Sequence, residues 1–131
     1  MTEDTTPSAD TAALATILGF AAGDTVFVEA TPSWYSALEE EVGFELTPDL
    51  PASHAHLFFS SKQELHEFLT EYNIKQAQQS VWFSWPKRAS GMKTDLTDRT
   101  FRDTVPTAGW EVGRTVDLDD NWYGLQFLRR K

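Results

Sequence analysis

The sequence predicts an α/β domain, built on a mostly parallel sheet with helices on both faces and a C-terminal antiparallel β-hairpin. Three observations carry this. Short apolar runs at residues 25–30, 54–60 and 81–85 read as buried strands. Segments with helical spacing and their own start signals lie between them, and such alternation requires parallel strands joined by crossover helices. The last two strand-like runs, Trp110 to Asp117 and Tyr123 to Arg129, are separated only by a short turn centred on Asp119-Asp120-Asn121. So short a connection makes them antiparallel and places one antiparallel strand in the sheet.

The elements follow in order. Residues 1–9 are polar and acidic and read as a disordered tail, which leaves 10–131 as the folded domain. Asp10 or Thr11 caps a helix to Leu18, with Leu14, Ile17 and Leu18 on one face. Thr25 to Ala30 is the first strand. Pro32-Ser33 opens a helix that carries Trp34, Leu38 and Val42, and Gly43 closes it. Phe44 to Leu46 is a short strand, and 47–53 is a proline-bearing loop. After the 54–60 strand, Ser61 and Glu64 form a capping box that starts a helix to about Asn73. Val81 to Trp85 is a strand ended by Pro86. Asp95 or Thr94 then caps a helix through Val105.

The 17 aromatic residues can fill one core in a chain of 131. With no cysteine, disulfides, thiol catalysis and thiolate metal sites are excluded. No run approaches the roughly 18 apolar residues of a membrane span. The absence of cysteine fits a reducing, cytoplasmic location, and the N-terminus lacks the basic and apolar regions of a signal peptide. A net charge of −9 opposes binding to nucleic acid and to anionic membranes. The charge is uneven. Residues 1–74 hold 13 acidic residues against one basic residue, Lys62; residues 75–131 hold 10 basic against 7 acidic. The asymmetry suits a small anion on the C-terminal half and a basic protein partner on the acidic half, and it equally suits ordinary surface variation.

The segment 85–97 concentrates the chemistry. It leaves the carboxyl end of a strand, the edge where open α/β sheets bind ligands. Lys87 and Lys93 supply charge, Ser90 and Thr94 hydroxyls, Gly91 close backbone approach, and Asp95 a helix cap. The same residues also suit a plain turn and cap with solvated lysines. Trp122, beside Gly124 in the last hairpin, suits stacking on a flat ligand or packing on the sheet. His54 and His56 share a strand face, but no third ligand stands at metal-site spacing, so no metal is expected. Glu29 ends the first strand, as a base or as a solvated rim residue. No H-E-x-x-H, G-x-S-x-G or phosphate-loop motif occurs.

The element order, over roughly residues 12–130, resembles a small Rossmann-like domain, that of a shortened class I methyltransferase. One helix-and-strand unit is missing after Glu45. The resemblance implies a cofactor, S-adenosylmethionine, at the turn after the first strand. Here that turn is Glu29-Ala30-Thr31-Pro32-Ser33-Trp34, with no glycine and two bulky residues. The segments Trp85-Pro86-Lys87, Ser90-Gly91, Thr94-Asp95-Leu96-Thr97 and Asp120-Asn121-Trp122-Tyr123-Gly124-Leu125 are also similar to an uncharacterised family of short, mainly actinobacterial proteins, a domain of unknown function. That resemblance implies a fold and an important region, not a reaction. The expectation is a non-catalytic binding or regulatory module on a degenerate methyltransferase-like scaffold, with a small-anion or partner site formed by Lys87, Ser90, Gly91, Lys93, Thr94, Asp95 and Trp122. The alternatives are a small enzyme using S-adenosylmethionine or a nucleotide, and a protein-interaction subunit using its acidic N-terminal half.

Overall fold

The computed structural model describes residues 11–130. The expected tail at 1–9, and Asp10 as a helix cap, lie outside the described residues. Helices α1 (Thr11–Leu18), α2 (Tyr35–Val42), α3 (Lys62–Glu71) and α4 (Asp98–Thr104) interleave with strands β1 (Thr25–Glu29), β2 (Glu45–Thr47), β3 (Ala52–Phe58), β4 (Ala77–Pro86), β5 (Trp110–Asp117) and β6 (Trp122–Arg129). The strands form one sheet in the order β2-β1-β3-β4-β6-β5. β2, β1, β3 and β4 are mutually parallel. β6 runs antiparallel to both β4 and β5, so it is the single reversed strand.

Alternation along β3 explains the two layers. Ala55, Leu57 and Phe59 point to one face, where Leu65 and Phe68 of α3 and Phe101 of α4 complete a core with Phe83, Leu125 and Phe127. His54, His56 and Phe58 point to the other face, where Leu14 and Leu18 of α1 and Tyr35 and Leu38 of α2 pack with Val26 and Trp82. None of the helices is long and apolar enough to cross a membrane, among the described residues.

The Ser61–Glu64 capping box forms as expected: the Glu64 N–H donates to Ser61 Oγ at 3.1 Å and the Ser61 N–H to Glu64 Oε1 at 3.2 Å. Several boundaries differ from the sequence expectation: β3 begins at Ala52, inside the expected 47–53 loop, and the larger shifts are at β4 and α4. β4 begins at Ala77 rather than Val81, because its first turns outward through exposed Gln78 and Gln79 and shows no apolar run. α4 begins later, capped by Thr97 and not by Asp95 or Thr94; the Thr100 N–H donates to Thr97 Oγ1 and the Thr97 N–H to Thr100 Oγ1.

The turn after β1 keeps a left-handed residue although it has no glycine. Ala30 has φ 58°, the one non-glycine with positive φ among the described residues. A Cβ in this region costs about 1–2 kcal/mol, partly offset by the greater freedom glycine has when unfolded. Ala30 is exposed. Ala30→Gly should therefore raise the unfolding free energy by about 0.5–1 kcal/mol in urea titrations; a loss of stability would show that this backbone is not strained.

Candidate site at the carboxyl edge of the sheet

Parallel strands deliver their carboxyl ends, and the loops that follow, to one edge. There Glu29, Phe59, Pro86 and Asp117 end or follow β1, β3, β4 and β5, and Trp122 begins the reversed β6. The edge has three parts with different chemistry.

The first part is the 85–97 segment. Together with β5 and β6 it borders a half-open cleft of about 780 Å³, with Trp85, Lys87, Arg88, Thr94, Thr115 and Tyr123 among its lining. The segment is held at several points. The Lys87 N–H donates to the Asn121 carbonyl, extending the β4–β6 ladder by one residue. Ser90 Oγ donates to the Lys87 carbonyl at 2.7 Å and accepts from the Met92 N–H at 3.1 Å. Gly91, at φ 81°, closes the 3-10 turn Arg88–Ser90 in the left-handed region. Thr94 Oγ1 accepts from the Leu96 N–H, and Leu96 is buried in the α3/α4 core.

Charge in this cleft is arranged differently from the sequence expectation. Lys87 Nζ lies 3.2 Å from Asp117 Oδ1 and 5.3 Å from the centroid of the Tyr123 ring. Lys93 is exposed on the loop. Asp95 caps a different helix from the one expected: its Oδ1 accepts from the Lys62 N–H at 2.8 Å. The carboxylate thus sits at the amino end of α3, where the helix dipole favours negative charge, and fastens the loop to that helix. Local spacing could not reveal this, because the donor lies 33 residues earlier.

Trp122 is not brought to the loop. Its ring packs edge to face on Phe58, with centroids 5.1 Å apart, on the α1/α2 side of the sheet. The next residue along β6, Tyr123, faces the cleft and lies 5.6 Å from Trp85. Side-chain alternation along a strand accounts for the difference. Tyr123 was missed by sequence reasoning; the alternation that turns Trp122 away from the cleft turns its neighbour, paired with Trp85, toward it.

The second part lies on the α1/α2 side, beyond β1 and β3. Trp34 Nε1 donates to Asp119 Oδ2 at 2.9 Å, and Asp119 Oδ1 accepts from the Asn121 and Trp122 N–H groups. Trp34 and Phe58 pack edge to face at 6.1 Å. The turn after β1 and the turn before β6 are therefore clamped together over the strand ends.

The third part is an acidic cleft of about 250 Å³ beside α3, with Glu29, Glu64, Glu67 and Glu71 on its walls and Phe58, Phe59 and Phe68 behind. Burial, and then the nearby Glu71 carboxylate, hold the Glu29 carboxyl above its ordinary value.

The two strand histidines are structural. His56 Nδ1 lies 2.9 Å from Tyr35 Oη and its Nε2 2.8 Å from Ser84 Oγ, all three side chains being buried. Burial pushes the His56 imidazole down to about 3, and burial also pushes the Tyr35 phenol well up. His54 Nδ1 lies 2.6 Å from Ser80 Oγ and its Nε2 2.8 Å from Asp24 Oδ2. Burial raises the Asp24 carboxyl, but hydrogen bonds from the Ala21 N–H and from His54 outweigh it and leave the carboxyl below its usual value. Asp24, His54 and Ser80 form a hydrogen-bonded row, yet Ser80 is buried in the middle of the sheet, out of reach of a substrate. Among the described residues, no three His, Asp or Glu side chains are placed to hold a metal ion.

No family model matches the chain, and no curated protein matches it either.

Proposed function

We propose that this protein is a non-catalytic binding or regulatory module on a shortened, Rossmann-like, methyltransferase-type scaffold, working in the cytoplasm, and that its site is the cleft under the 85–97 segment. The observation that carries the reading is the contrast along one sheet edge. The 780 Å³ cleft at β4, β5 and β6 is of ligand size and combines aromatic, cationic and hydroxyl groups. The position beyond β1, where the resemblance implies S-adenosylmethionine, is clamped by Trp34 and Asp119 and bears Ala30 and Pro32 where backbone would have to approach a cofactor. The strand order, with one reversed strand between β4 and β5, supports the scaffold; the single short strand beside β1 fits a lost helix-and-strand unit.

The experiment is a thermal-shift screen of metabolites and small anions against the wild type and Ala89→Trp. Ala89 lines the cleft from an exposed position, so an indole there fills space without removing a hydrogen bond seen in the structure. A compound that binds only the folded protein raises Tm by mass action, by about 2.7 kcal/mol of stability at a hundred times Kd. The expected result is one or more compounds that raise Tm in the wild type and fail in Ala89→Trp. Compounds that act equally on both proteins would place the site elsewhere.

A further inference from the structure

The chemistry of the cleft narrows what it takes, and the narrowing rests on the binding-module reading above. Its carboxylates are already engaged. Asp95 accepts from the Lys62 N–H, Asp98 accepts from Thr115 Oγ1 at 3.3 Å and lies 3.7 Å from Arg102, and Asp117 pairs with Lys87. Arg88 lines the same cleft, is exposed, and forms no ion pair among the described residues. Beside it lies Tyr123, half-buried, with its ring 5.6 Å from that of Trp85 and the Lys87 Nζ 5.3 Å from its centroid, so an aromatic side chain and a cation stand together on the cleft wall. Thr94 Oγ1 accepts from the Leu96 N–H, and its hydroxyl proton has no acceptor among the described residues.

We infer that the cleft binds a small molecule that joins a flat aromatic ring to one anionic group, a carboxylate or a phosphate, with Arg88 seating the anion and Tyr123 the ring. A guanidinium presents paired N–H donors that match carboxylate and phosphate oxygens, which a point charge does not. An aromatic face beside it selects for a ring on the same ligand. A long polyanion is disfavoured by the carboxylates of Asp95 and Asp98 in the cleft lining, by Asp117 paired with Lys87, and by the net charge of −9. At physiological salt these charges act over about 8 Å, so a single anionic group on Arg88 is governed by its immediate neighbours.

Four probes separate the two halves of the claim: adenosine monophosphate and 4-hydroxybenzoate carry both ring and anion, inorganic phosphate the anion alone, adenosine the ring alone. Each is titrated into the isotopically labelled full chain at millimolar concentration while amide resonances are followed. The expected result is saturable shifts at residues 87–97, 115 and 123 with at least one ring-and-anion probe, and binding about tenfold or more weaker with phosphate or adenosine alone. Arg88→Gln should weaken the ring-and-anion probe by about tenfold or more while leaving Tm unchanged, since the guanidinium forms no ion pair among the described residues. Adenosine binding as tightly as its monophosphate, undiminished binding by Arg88→Gln, or no cleft shifts with either ring-and-anion probe would each overturn the inference. The broader reading fails separately, if no compound in the wider screen responds to Ala89→Trp.

Discussion

Lowering the pH from 7 to 5 is expected to remove about 2 kcal/mol from the unfolding free energy, at about 1.4 kcal/mol per pH unit below the ordinary histidine value. The cause is His56. Its imidazole is fully enclosed between β3, β4 and α2, and burial holds it down to about 3, against an ordinary value of 6.5. Between these values the unfolded chain binds a proton that the folded chain refuses. Stability is therefore complete above pH 6.5 and falls as the pH drops toward 3. Asp24, whose carboxyl is held low, loses its contribution only below its ordinary value of 3.8, beneath this window. Glu29, held above its ordinary 4.5, acts in the opposite direction. Urea titrations at several pH values measure the slope, and the His56 ring resonances measure its cause. A ring that stays neutral in the folded protein at pH 5, with falling stability, is the expected pair of results. A flat stability profile from pH 7 to 5 would contradict the burial argument.

A second large effect is expected at Gly124. A Cβ built there meets three side-chain atoms of Leu118 at 3.1–3.2 Å, so the strand passes directly beneath that leucine. Gly124→Val should cost about 2 kcal/mol through overpacking. Leu118 immediately precedes Asp119, so the displaced leucine should also loosen the hydrogen bond from Trp34 and change tryptophan fluorescence. Leu118→Ala gives the control: a double-mutant cycle should show a favourable coupling of about 1 kcal/mol or more. Additive costs would mean that Gly124 is free of Leu118.

This position shows how far the sequence could be read. Trp122-Tyr123-Gly124-Leu125 stood out as a motif, but its cause, a side chain folded back from the preceding turn, is a contact made in three dimensions. Most local signals agree with the structure, the Thr97–Thr100 cap of α4 being an exception. Ser61 and Glu64 start α3, Gly43 ends α2, and the four residues between β5 and β6 set the one reversed strand. The site was less legible for two physical reasons. Asp95 looked like the cap of the helix that follows it, but a carboxylate goes to whichever helix end lies nearest in space, here α3. Trp122 looked like a partner of the loop, but strand alternation sends it to the α1/α2 side and brings Tyr123 to the cleft instead. The histidines, weighed as metal ligands, have both ring nitrogens committed to serine, tyrosine and aspartate side chains.

The central claim is that the working surface of this sheet edge is the cleft under residues 85–97 and not the position beyond β1. Amide-shift mapping during a titration with S-adenosylhomocysteine to millimolar concentration tests it most directly. The account predicts no saturable shifts at residues 29–35 and 118–122, because the Trp34–Asp119 clamp and the Ala30-Thr31-Pro32 turn occupy that position. Saturable shifts centred on residues 29–35 would contradict it and move the binding site to the position beyond β1.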